Sequence, residues 1–171
     1  ELGGDMVELT LFYSSISKFN ALCNQRSTEQ VTALVSLILD RFTQVIVRTD
    51  GTVDNYLGES ILAFWGAPSV VIDGPARACR VALQCKLIED QLRQKESDRF
   101  PPETVNLFAI HSGRAIVGNF GSKKRMAYTA VGDNVEIGWI LKQLNHRYGT
   151  QILISEPVQA AVAGLFWLRL V

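Results

Sequence analysis

Three cysteines, two histidines and one basic run are the first places to look for chemistry in this 171-residue chain. Cys23, Cys79 and Cys85 form neither a CxxC pair nor an even set, so they support neither a thiolate metal site nor a disulfide framework. They read as buried or idle thiols in a reducing compartment. His111 and His146 fall in unrelated segments, which argues against a histidine-based metal site. Lys123-Lys124-Arg125 reads as a solvated loop. The remaining polar candidates stand singly at the ends of predicted elements. Ser15 closes the first strand, Glu59 follows Gly58 at a hairpin tip, and Arg114 follows Ser112-Gly113. Taken alone, they are a strand-end cap, a turn carboxylate and a surface arginine.

The elements that must position these residues follow from periodicity. VELTLFYS, from Val7, is a strand, followed by a short segment over Ile16–Cys23. Ser27 or Thr28 opens a long amphipathic helix carrying Val31, Leu34, Val35, Ile38, Phe42, Val45 and Ile46 at helical spacing. GTVDNYL and SILAFWG, joined at Gly58-Glu59, form a hairpin. Asp73-Gly74-Pro75 opens a second helix, with Ala78, Val81, Ala82, Cys85, Ile88 and Leu92 on one face. Arg93–Arg99 and Pro101-Pro102 read as a loop. Strands are predicted over Thr104–His111 and Arg114–Phe120, then a polar excursion over Gly121–Met126 and an extended return over Ala127–Val131. A third helix runs from Gly132-Asp133-Asn134 to Tyr148-Gly149. A strand QILIS, a short helix from Glu156-Pro157 and a last strand over Phe166–Val171 complete the chain. This order predicts an α+β domain, with helices packed on a mostly antiparallel sheet.

Composition bounds the function. The length suits one well-cored domain. Seventeen basic and seventeen acidic residues cancel, so no bulk field favours nucleic acid or an anionic membrane. The most apolar run, Val31–Leu39, is interrupted by Thr32 and Ser36 and falls short of a bilayer span, and no signal-peptide pattern opens the sequence. The expectation is a cytoplasmic domain with no direct membrane contact.

Four segments in this order resemble the catalytic domain of the class III nucleotidyl cyclases, the adenylyl and guanylyl cyclase family. They are LFYSSISKFN from Leu11, GTVDNYLGESILAFWGAP from Gly51, IHSGRAIVGNFGSKKRMAYTAVGDNVEI from Ile110, and YGTQILISE from Tyr148. The resemblance covers nearly the whole chain and implies a ferredoxin-like cyclase fold. Family members continue into a hairpin with a catalytic lysine, for which this sequence, ending at Val171, has no counterpart. The expectation is therefore a single cyclase-like domain over 1–171, cut from a larger signalling protein. The Gly3-Gly4-Asp5 triplet precedes the first predicted strand instead of lying at a central hairpin, so a diguanylate cyclase reading is set aside.

The family chemistry is attack of a ribose 3′-oxygen on the α-phosphate, helped by two metal ions held by two aspartates. The resemblance places those metal positions at Ser15 and Glu59. A neutral serine and a carboxylate one methylene too long are poor ligands for paired Mg²⁺. The transition-state asparagine and arginine positions read Glu136 and Ile140, so no catalytic residue is intact. The purine-reading positions read Asn55 and Thr129. The resemblance also assigns Ile16, Ser17, Lys18, Phe19 and Asn20 to a phosphate loop, and Arg114 to the terminal phosphates.

These substitutions predict a pseudo-cyclase serving as a dimerisation, regulatory or nucleotide-sensing module that needs no cofactor. The alternatives are a weakly active adenylyl cyclase using Mg²⁺ or Mn²⁺ and a purely structural interaction domain. Expected partners are a second copy or another cyclase-type domain, with ATP, GTP or pyrophosphate as ligands. The Phe120–Ala127 excursion resembles the arm by which family members embrace a partner head to tail, and Trp139 is expected near that interface.

Overall fold

The helix expected after residue 27 forms because its first turn is closed from both sides. In the computed structural model, which describes residues 3–96, 100, 104–122 and 124–171, Ser27 Oγ accepts from the Gln30 amide at 3.3 Å. The Gln30 side chain accepts in return from the Ser27 amide at 3.1 Å. In chain order the elements are β1 (Gly3–Ile16), α1 (Phe19–Gln25), α2 (Thr28–Arg48), β2 (Thr52–Leu57), β3 (Ser60–Trp65) and α3 (Gly74–Lys95). They continue with β4 (Asn106–Ser122), β5 (Arg125–Val131), α4 (Asp133–Tyr148), β6 (Ile152–Ile154) and α5 (Glu156–Ala161).

The strands make one sheet in the order β2-β3-β1-β4-β5, with β6 parallel to β4 and the other pairings antiparallel. The α+β fold class is as the sequence predicts. Alternation along β1 sends Phe12 to one face, beneath α2 and α3, and Leu11 and Tyr13 to the other, beneath α4. The first face packs Phe12, Phe42, Trp65, Phe108 and Ile110 into the larger cluster. The second gathers Leu9, Leu11, Tyr13, Phe64 and Val117, with Trp139 packed against them. By length and hydropathy α2 could cross a membrane, contrary to the run-length estimate. Here it sets Leu34, Ile38, Phe42 and Ile46 into the core.

Several boundaries differ from expectation. β1 begins at Gly3, so Gly3-Gly4-Asp5 lies inside a strand. The two strands expected over 104–120 are one, because Thr10 pairs with Ser112 and Leu9 with Gly113 straight through the anticipated break. The polar excursion is the tip of the β4–β5 hairpin, its strands closing on the Ser122–Arg125 pair. α3 continues to Lys95, while 97–99 and 101–103 of the expected loop lie outside the described residues. No strand forms over Phe166–Val171, where Trp167 and Leu170 are fully exposed and find no partner strand.

Candidate functional site

Ser15 and Glu59, remote in sequence, are brought to the same end of the sheet. The last registered β1–β3 pair is Ser14 with Ile61, so β1 ends beside the hairpin tip that carries Glu59. That tip is a two-residue turn between the paired Leu57 and Ser60, and Gly58 adopts φ 62°, which glycine tolerates without steric cost. Ser15 is buried at 5% exposure and has Leu107 as its neighbour on β4. Glu59 accepts a hydrogen bond from the Ser60 hydroxyl at 3.3 Å.

This donor set does not fit a two-metal centre. It offers one carboxylate, one neutral hydroxyl and an apolar neighbour where paired Mg²⁺ would need shared anionic oxygens. Among the described residues no three His, Cys, Asp or Glu side chains converge on a point.

The phosphate loop is only partly free. Ile16 pairs with Asn106 in the sheet, and the Ser17 amide donates to Val105 O at 2.8 Å. Lys18, with φ 53°, precedes α1, so Phe19 and Asn20 lie in its first turn, where amides lack intrahelical partners. Arg114 does not join them. It stands opposite Glu8, seven residues along β4 from Leu107, the neighbour of Ser15. At ~3.3 Å per residue that is about 23 Å, beyond the reach of an arginine. Within one chain the register thus sets Arg114 apart from the Ser15 end of β1.

At the purine-reading positions, Asn55 is exposed, and Thr129 Oγ1 donates to Asp54 Oδ2 at 2.9 Å. The Ala130 amide donates to the same oxygen at 3.3 Å. A register shift between Val53 and Asn55 isolates Asp54 in β2, the kind of bulge that re-aims a side chain. Burial raises the Asp54 carboxyl, and the bonds from Thr129 and Ala130 oppose that rise. Asp54 is the residue that the sequence reading missed, although it adjoins Asn55.

α4 carries the last two positions. Glu136 is exposed in its first turn beside Asp133, and Ile140 is 56% exposed. The helix is seated from the sheet. Tyr13 donates to Val135 O at 2.5 Å, and the ring leaves room only for glycine at Gly138. Burial, followed by the Asp54 charge, raises the Tyr13 phenol. Asn134 donates through Nδ2 to Arg114 O at 2.8 Å, so its Oδ1 accepts from His111 Nε2 at 2.9 Å. His111 Nδ1 then accepts from the Ser155 hydroxyl at 2.8 Å. This histidine is a structural clamp. Trp139 packs edge-on against Tyr13 with centroids 6.2 Å apart, while Ile137 and Ile140 on the same helix are exposed. Two open grooves, one beside Leu22, Arg26 and Leu34 and one beside Asp50, Val70 and Arg77, include none of the site residues.

An α+β sheet whose first strand ends against a hairpin tip, with a helix set by a Gly-Asp turn across it, defines a nucleotidyl cyclase-type domain. The chain belongs to that family: the model of the adenylate and guanylate cyclase catalytic domain matches residues 4–164. Adenylate cyclase 1 of Rhizobium meliloti is 35% identical over 153 residues, covering 90% of this chain but 23% of that protein's length. The adenylyl cyclase CyaB from P. aeruginosa superposes with a TM-score of 0.89 at 25% identity, over 98% of this chain and 86% of that one. The guanylyl cyclase Cya2 gives 0.85 at 26% identity, over 95% and 81%.

Proposed function

We propose that this cyclase-homology domain is a pseudo-cyclase, a cytoplasmic dimerisation and nucleotide-sensing module that does not cyclise ATP or GTP. The observation that carries this reading is Ser15, a buried neutral hydroxyl beside Leu107 where a metal-holding carboxylate would be needed. Glu136 and Ile140 support it from the other half of the family site. An exposed carboxylate and an exposed alkyl group cannot donate to a developing phosphate charge, and each lost donor costs ~2.7–4 kcal/mol of transition-state stabilisation.

Assembly is supported by a row of apolar side chains in register across three strands. Met6 pairs with Ile116 and Ile116 with Val131, all exposed, and Met126, Tyr128, Ile137 and Ile140 are exposed as well. This fits a homodimer, or a heterodimer with another cyclase-type domain, burying at least ~1,000 Å².

The test is turnover of radiolabelled ATP and GTP with Mg²⁺ and then with Mn²⁺. The expected result is no product above a no-enzyme blank. Product that disappears in Glu59→Ala would establish instead a weakly active cyclase, the reading favoured by the likeness to Adenylate cyclase 1.

A further inference from the structure

Three consecutive residues, Thr104, Val105 and Asn106, run into β4 with their backbone groups divided between two parts of the molecule. Thr104 O accepts from Arg93 Nη2 at 2.6 Å, and the Asn106 amide donates to Glu89 Oε1 at 3.0 Å, so α3 holds both ends. Between them the Val105 amide donates to Ser17 Oγ at 3.2 Å, and Val105 O accepts from the Ser17 amide at 2.8 Å. Glu89 is itself fixed by Arg93, one turn further along α3, at 2.8 Å and by Gln151 Nε2 at 3.3 Å. The turn between β1 and α1 is thus seated on a strap that one ion pair grips at both ends. Ser17, Glu89, Thr104 and Asn106 are all buried. Stability is a poor reason for this arrangement. Burial raises the Glu89 carboxyl against the bond from the Asn106 amide and the Arg93 charge. Asn106 Oδ1 is buried with no partner among the described residues. A buried charge and an orphaned acceptor both cost free energy, and what they provide is a fixed geometry.

We propose that Glu89 and Arg93 are positioning residues for the Ser17 turn, so that α3 sets the part of the nucleotide site that the resemblance assigns to phosphate. Both act through residues 104–106 rather than by contact with a ligand. This proposal rests on the nucleotide-sensing reading above and names how that site is regulated. A partner that shifts α3 moves the strap and, with it, the turn. Coupling of this kind is reciprocal, so a nucleotide that orders the turn also tightens the hold on Val105 and Asn106.

Backbone-amide hydrogen exchange on the whole chain, followed by NMR without ligand and then with ATP, tests the proposal. Glu89→Leu speeds exchange at Ser17 and Val105 about tenfold or more relative to Phe12 and Ile110, core amides that report global opening. Glu89→Gln, which keeps an acceptor for the Asn106 amide, restores most of that protection. Arg93→Met, at a side chain 23% exposed, gives the same selective loosening and serves where Glu89→Leu fails to fold. In the unsubstituted chain ATP slows exchange at Ser17 and Val105, and each loosened variant binds ATP several-fold more weakly. Exchange that changes alike across the chain, or is not rescued by Glu89→Gln, overturns the proposal whatever ATP does. An unchanged ATP affinity in a variant with a loosened turn overturns the link between α3 and the site. Selective loosening in a chain that binds no ATP supports the positioning role and overturns the sensing half of the proposed function instead.

Discussion

Beneath α2 and α3 the sheet is closed by Phe12, Phe42, Trp65 and Phe108, none more than 1% exposed. Where β1, β4 and β5 run on together, Met6, Ile116 and Val131 stand in register and remain 36–52% exposed. The same alternation produces both regions, but only the first has helices laid over it. The covered end therefore holds the monomer together. At the open end, the proposed dimer would add the apolar burial that the chain's own helices do not supply.

The largest effect expected from this contrast lies in the covered end. Phe42 is fully buried, its ring 5.7 Å from that of Phe108. Phe42→Ala should cost ~3–5 kcal/mol in urea unfolding, from lost transfer and the cavity left behind. A loss below ~1 kcal/mol would break the comparison by showing that the aromatic cluster is not the main support. On α4, over the other face of the sheet, Ile140→Asp should leave monomer stability within ~0.5 kcal/mol, because the side chain is exposed. The same variant should abolish the dimer in sedimentation velocity, since a carboxylate would have to be buried unpaired in the interface. Dimers that persist would move the interface away from α4.

The smallest effect concerns the contact that joins the two edges of the sheet, Asp54 to Thr129. Burial raises the Asp54 carboxyl above its unfolded value, so the folded state binds that proton more tightly. Its contribution to stability should fall as pH rises from the ordinary aspartate range through the folded value, and stay level above it. Asp54→Asn should flatten that decline. Glu89, raised chiefly by burial, has the same sign and remains in the variant, so the difference between the two pH profiles isolates Asp54. Identical profiles would show that water reaches this carboxylate freely.

Much of the scaffold was legible because its signals are local. Ser27 with Gln30, Gly58 at the hairpin, Asp73-Gly74-Pro75 before α3 and Gly149 after α4 each act within one turn of chain. The join through Ser112-Gly113 was misread because its continuity comes from pairing with β1 a hundred residues earlier. The expected last strand failed for the complementary reason, being apolar without a neighbour to bond.

By itself the sequence determined the α+β class, the family and the absence of the expected carboxylate at Ser15, since these follow from residue types read in order. Only the tertiary structure decided which candidates meet. Register separated Arg114 from Ser15, a bulge turned Asp54 onto Thr129, and the Tyr13 ring seated α4 at Gly138. Strand register and helix docking are long-range packing outcomes, and a one-residue change in either sends a side chain to the opposite face.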